Sequence, residues 1–240
     1  SNTTAGEVTG IGDGALATAT TAALNTAFGA QTLAAATTGG TNTATGAYAL
    51  NDVNTGYSNT AVGAYAGDKV TTGANNILIG YDSGSDALTT VTTGSNNIVL
   101  GNNSTAVSEV KVDWTVGSDQ RDKTDIETLP DNAGLNFVNQ MRPVSYVFDN
   151  RDKYYPHTHA QYGERDHSKK STAKQVGFIA QEIKAIEESI GWTDDHIVNT
   201  SNEQSYKLMY SQVIPILTKA IQELSAQNAD LTTRIEALEG

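Results

Sequence analysis

The sequence predicts a β-rich repeat shaft, a β-roll or β-solenoid, followed by an α+β domain that ends in a coiled-coil helix. Three observations carry this prediction: a unit recurring every 17 residues in the first half, an abrupt change of composition near residue 117, and a heptad pattern over residues 214–239. Of 22 glycines, 17 lie in residues 1–117, whereas 13 of the 15 Lys and Arg lie in 118–240. Two domains follow, 1–117 and 118–240.

The repeat reads "NTAFGAQTL" from Asn25, "NTATGAYAL" from Asn42, "NTAVGAYAG" from Asn59 and "NILIGYDSG" from Asn76, with "NIVLGNNS" from Asn97 after a longer insertion. Gly12, Gly29, Gly46, Gly63, Gly80 and Gly101 fall in one frame, so six units are present. Each offers a three-to-five-residue alternating segment before its glycine and a Gly/Asn/Thr turn after it. Segments that short are unstable alone and must stack on one another or on other chains. Ala, Thr and Ile supply little apolar area per unit, so self-association about a common axis is expected to complete the core. The units resemble the N-x-A-x-G repeats of trimeric adhesin heads and phage tail-fibre shafts. Tyr48, Tyr57, Tyr65 and Tyr81 are expected to pack within or between units, with a receptor-binding ladder as the alternative.

In the second half, Asp131 and Asn132 are candidate caps for a helix bearing Leu135, Val138 and Met141. Pro143 directs the chain into a strand with Val144, Tyr146 and Phe148, and "QVGFIA" is a second strand. A helix with Ile183, Ile186 and Ile190 on one side stops at Gly191. "SYKLMY" is the next strand, and Trp192 is expected in the core. From Ile214 the positions 214, 217, 221, 224, 228, 231, 235 and 238 alternate by three and four. Position a reads Ile, Ile, Asn, Ile and position d is Leu throughout, a pattern for helix association that by itself favours two strands. Packing of one amphipathic helix on its own domain is the alternative. Pro215 requires the helix to begin close by.

The seam itself, "GSDQRDKTDI" from Gly117, holds a hydroxyl and an amine five residues apart. A Ser and a Lys can perform acyl transfer if the amine is neutral. An exposed lysine, titrating at about 10.4, is protonated at neutral pH, so burial or nearby positive charge is needed, and Arg121 could supply charge. Five residues along an α-helix is about 500°, so Ser118 and Lys123 cannot share a helical face. They meet across a turn, or the lysine comes from a neighbouring chain.

"SDQRDK" resembles the Ser-Asp-x-Arg-x-Lys signature of the C-terminal intramolecular chaperone autoprocessing domain of phage endosialidases, tail spikes and tail fibres. "LNFVNQMRPVSYVF", "GFIAQEI", "YKLMYSQVIPILTKAIQEL" and "LTTRIEALE" continue the resemblance through about residues 118–239. Two features depart from that pattern: Asp122 where the family has an apolar residue, and the polar insert from Asp149 to Lys174. The resemblance implies a homotrimeric folding device on a virion tail fibre or spike, assembled in the host cytoplasm. It implies Ser118 as nucleophile, Lys123 as base, Asp119 and Arg121 as supporting residues, and scission of Gly117–Ser118. The released fragment would be missing from the mature particle. A trimeric adhesin or fibre with a permanent, uncut foot is the alternative.

Other functions are disfavoured by composition. Each half carries a net charge of −6, which phosphate repels, so no nucleic-acid partner is expected. The chain has no cysteine for disulfides or thiolate metal sites. No cofactor and no membrane span are expected, and "GIGDGA" lacks the βαβ context of a phosphate loop. Three copies of His157 and His159 could offer six imidazoles to a metal, but a polar surface insert is the preferred reading. Any host glycan or receptor would be bound through upstream regions. The missing initiator Met points to a fragment of a longer protein.

Overall fold

A computed structural model describes residues 6–86, 90–105, 108–111, 114–154, 160–161, 163–201 and 205–239. It forms two compact units, Ser1–Lys111 with Asn150–Asp166, and Val112–Asp149 with His167–Gly240. Most of the polar insert therefore groups with the repeats.

The first unit is a β-solenoid. Strands β1 (Thr9–Ile11), β2 (Thr26–Phe28), β3 (Thr43–Thr45), β4 (Thr60–Val62), β5 (Ile77–Ile79) and β6 (Ile98–Leu100) form one parallel sheet in chain order. The register advances 17 residues per coil, Thr9 facing Thr26 and Thr26 facing Thr43, until the insertion stretches the last step from Ile77 to Ile98. Strands β2 to β5 turn their middle residue inward, and Val99 of β6 is partly buried. Ala27, Ala44, Ala61 and Leu78 are buried there, together with Leu33, Leu50, Val53 and Val70 from the turns.

Two further ladders bind coil to coil. Asn25, Asn42, Asn59 and Asn76 are buried. The Asn59 amide nitrogen donates to the Gly73 carbonyl at 2.9 Å and to Asn42 Oδ1 at 3.0 Å, while its own Oδ1 accepts from the Asn76 backbone N–H at 3.1 Å. The same side-chain bond to a glycine carbonyl recurs at Asn25, Asn42 and Asn76. A carboxamide, with donors and acceptors on one planar group, can satisfy both the turn of its own coil and the backbone of the next. Replacing Asn59 by Ala strands buried backbone groups, Gly73 C=O and Asn76 N–H among them. A loss of about 3 kcal/mol is expected, read by urea unfolding of the shaft.

The second ladder is of glycine. Gly29, Gly46 and Gly63 hold φ of 141°, 131° and 130°, and a Cβ on Gly63 would lie 2.6 Å from the Gly80 carbonyl oxygen. The turns also carry non-glycine residues at positive φ in matched places, such as Leu33 and Leu50, and Tyr48 and Tyr65. That region is costly for branched and bulky residues. Stacking compensates, because the Tyr48 and Tyr65 N–H groups donate to the Ala30 and Ala47 carbonyls of the preceding coil at 2.8 and 2.9 Å.

In the second unit, helix α1 (Leu135–Gln140), strand β7 (Val144–Val147), strand β8 (Lys174–Gly177) and helix α2 (Ala180–Ser189) follow the sequence reading closely. β7 and β8 pair antiparallel, and short strands β9 (Val198–Asn199) and β10 (Lys207–Leu208) form a second antiparallel pair. Phe137, Ile183, Ile186, Ile197, Val198, Val213 and Ile216 make the core, with Trp192 packed against it at 5.9 Å from Phe137. The capping expectation at α1 is corrected: Asp131 and Asn132 lie in a separate 3₁₀ turn, and Glu223 accepts the Leu135 N–H at 2.7 Å. Gly134 leaves room for that carboxylate, which a Cβ would meet at 2.3 Å.

Helix α3 (Val213–Glu239) uses one face on its own unit and leaves another free. Val213, Ile216 and Ala220 are buried, whereas Ile214, Leu217, Ile221, Leu224, Leu231, Ile235 and Leu238 are exposed. The exposed set is the heptad a/d stripe. Intradomain packing therefore does not account for the pattern. Among the described residues, no helix is long and apolar enough to cross a membrane.

Candidate functional site

The seam folds as a tight local loop. Asp119 precedes a 3₁₀ turn over Gln120–Asp122, and its side chain accepts the Arg121 N–H at 2.9 Å. The Lys123 N–H closes the turn on the Gln120 carbonyl at 3.1 Å. A 3₁₀ turn advances the chain by three residues per revolution, and with the extended residues flanking it the two ends of the hexapeptide come together. Lys123 Nζ lies 2.7 Å from Ser118 Oγ. Within one chain, Ser118 and Lys123 therefore meet across a turn.

Electrostatics of the loop centre on Asp119. Arg121 Nε donates to both its oxygens, at 3.0 and 3.1 Å. These bonds, with the backbone N–H, hold the Asp119 carboxyl below the usual carboxylate range and push Arg121 further up. The guanidinium is thus occupied by Asp119. Every residue from Trp114 to Thr128 is exposed, Ser118 and Lys123 included. Gly117 has open space around it, since a Cβ there would meet no atom within 4 Å.

Chemically, a hydroxyl and a primary amine are in contact beside a peptide carbonyl. In the observed contact the amine donates to the hydroxyl oxygen. Base catalysis needs the opposite polarity, a neutral amine accepting the hydroxyl proton.

Residues 118–192 match the peptidase family described as chaperone of endosialidase. Residues 118–192 are thus similar to a chaperone-of-endosialidase domain, starting where the Ser-Asp-x-Arg-x-Lys signature starts. The match begins at the serine of the Lys123 contact and ends at Trp192, before β9, β10 and α3. No curated protein matches the chain. The chaperone-of-endosialidase domain suggests a role on a phage tail fibre or spike, and its peptidase class is of the self-cleaving kind.

The remaining candidates fare differently. His157 and His159 lie outside the described residues. Trp114, three residues before Gly117, is exposed. Tyr48 and Tyr65 stack with centroids 5.0 Å apart and planes 2° off parallel, and Tyr81 meets Tyr65 edge-on at 6.0 Å. Tyr48 and Tyr65 thus pack between coils as expected, whereas Tyr57 and Tyr81 remain exposed. The Glu223 bond to α1 was missed by sequence reading, because partners 88 residues apart leave no local signal.

Proposed function

We propose that this chain is the end of a phage tail-fibre or spike-type protein whose residues 118–240 trimerise, fold the upstream solenoid of residues 1–117, and then cut themselves free. The observation that carries the reading is the 2.7 Å contact between Lys123 Nζ and Ser118 Oγ at the first residue of the family match. In the reaction, neutral Lys123 takes the Ser118 hydroxyl proton while Oγ attacks the Gly117 carbonyl carbon. The Gly117–Ser118 C–N bond breaks, the proton passes to the departing nitrogen, and an ester joins Gly117 to Ser118 Oγ. Water then opens the ester, leaving a Gly117 carboxylate and the Ser118 hydroxyl with a free amino group. No external substrate and no cofactor enters.

Exposure of the pair in one chain explains why scission would wait for assembly. A wet lysine stays charged, and only desolvation or added positive charge makes it a base at neutral pH. A neighbouring copy packed over the loop would supply the burial. The exposed a/d stripe of α3 supports such neighbours. Parallel repeats are slow to assemble and prone to misregister, so a terminal clamp that aligns three chains speeds them. Its loss afterwards leaves a shaft with high kinetic stability. The assembly would occur in the host cytoplasm, with the released part absent from the virion and any host glycan met by upstream regions.

Intact mass under denaturing conditions together with native mass tests the reading. Two pieces divided at Gly117–Ser118 and a trimeric native species are expected. A chain that stays at 25.3 kDa favours the permanent-foot alternative, with which an exposed Ser–Lys pair is also compatible.

Asp119 is assigned a positioning role through the turn. Asp119→Ala is expected to slow scission about tenfold, and Asp119→Asn, which keeps an acceptor for the Arg121 N–H, to restore most of the rate. The carboxyl's folded value is depressed, so its contribution to the turn is present above the unfolded carboxylate range and is lost as pH falls through the lower, folded value. A quench-flow or gel time course across pH reads these results.

A further inference from the structure

The solenoid buries one face of its sheet and leaves the other uncovered. Outward-facing positions along β1 to β6 are Thr9 and Ile11, Thr26 and Phe28, Thr43 and Thr45, Thr60 and Val62, Ile77 and Ile79, and Ile98 and Leu100. Ile11, Phe28, Val62, Ile79 and Leu100 form one column of exposed large apolar side chains with Thr45 in its middle, and Ile77 and Ile98 stand beside it. Exposures run from 40% at Ile77 to 67% at Ile98. At about 4.8 Å between strands, the column is about 24 Å long. A contiguous apolar strip of that kind amounts to several hundred Å², the size that marks an association surface, and comparable to one side of a small stable interface.

Charge selects the occupant. None of the twelve outward positions is ionisable, although the chain carries a formal net charge of −12. Two copies of an acidic chain repel each other across most of their surfaces. The uncharged strip is a surface on which they can approach without that penalty. Its in-register columns repeat at one spacing in every copy, so a parallel neighbour meets it level by level. Aliphatic bulk gathers at β5 and β6, the strands nearest in sequence to the chaperone-of-endosialidase domain, and gives way to threonine at β3.

We infer that this strand face is the seam along which further copies of the same chain pack their solenoids, parallel and in register, closing from the β6 end. The inference rests on the homotrimer reading above and names the shaft surface that reading requires. It also separates two cores: the alanine, leucine and asparagine interior belongs to each chain, whereas the Ile/Phe/Val/Leu column is shared.

The chain has no cysteine, so single cysteines report contacts cleanly. Phe28→Cys, Thr45→Cys and Val62→Cys place thiols along the column, and Tyr57→Cys, at an exposed turn, is the control. Each purified chain is treated with a short bismaleimide, resolved under denaturing conditions, and weighed natively without reagent. Chain-to-chain linking at Thr45→Cys and at least one other column position, several-fold above Tyr57→Cys, is expected. An oligomeric native mass with column linking no greater than the control overturns this inference and leaves the homotrimer reading standing. A monomeric native mass overturns both. Since Thr45 and Val62 are surface positions, a fold failure at one is controlled by the other.

Discussion

Ser118→Ala leaves the chain whole on a denaturing gel, and Lys123→Ala does the same: that is the largest effect expected of any substitution here. Removing Oγ removes the attacking atom, and no other hydroxyl stands at the first residue after Gly117. Removing Nζ removes the acceptor of the hydroxyl proton, and general-base assistance alone accounts for about 10²- to 10⁴-fold in rate. Both side chains are exposed and make no core contact, so loss of cutting in these variants would reflect chemistry and not misfolding. The trimeric state should be kept in either, with the uncut 118–240 portion still attached, because assembly precedes the step they abolish. Efficient cutting by Ser118→Ala would remove the assignment.

Gly63→Ala is expected to disrupt the shaft itself. The added methyl would stand 2.6 Å from the Gly80 carbonyl oxygen and 2.7 Å from its carbon, both of them backbone atoms of the next coil. Neither can swing aside as a side-chain tip would. At φ of 130° an L-residue is also strained by 1–3 kcal/mol, roughly. Relief requires the coils to part, which lengthens the β4–β5 ladder bonds and the Asn59–Asn76 contacts together. A loss of about 4 kcal/mol or more is expected, larger than for Asn59→Ala, seen as a lower urea midpoint or shaft material in inclusion bodies. The uncut Ser118→Ala chain is the background for the comparison. Full stability in Gly63→Ala would mean that coil spacing is not limited by these backbone contacts.

Much of this molecule was legible without coordinates, for identifiable reasons. A 17-residue period is a statement about stacking, because equal spacing along the chain puts equal residues above one another in any solenoid. Gly12, Gly29, Gly46 and Gly63 thereby declare a place with no room for Cβ. The 2- and 3.6-residue periods around Tyr146 and Ile183 likewise report local backbone geometry, and β7 and α2 lie where those periods put them. Asp131 misled because capping propensity is local, while the Leu135 N–H at the start of α1 was claimed by Glu223 from a distant helix. The asparagines were visible as a repeat, yet their carboxamide bonds to the glycine carbonyls depend on the path of the turn. Leu33 and Leu50 at positive φ ran against local preference, since neighbouring coils, not the residues themselves, hold those turns.

The candidate site divides in the same way. Ser118 and Lys123 were identified by type and by signature, and helix geometry excluded one arrangement. Only the folded loop shows that Asp119 turns the chain so that hydroxyl and amine touch, and that Arg121 is engaged by Asp119. The chain's covalent order thus determined what depends on neighbours in sequence: the coil period, the glycine and asparagine columns, the heptads and the seam residues. Tertiary structure decided what depends on partners remote in sequence: the Glu223 cap, the left-handed leucines and the division of α3 into a buried and a free face. Backbone periodicity propagates through nearest neighbours, whereas burial is a property of whatever surface happens to arrive opposite.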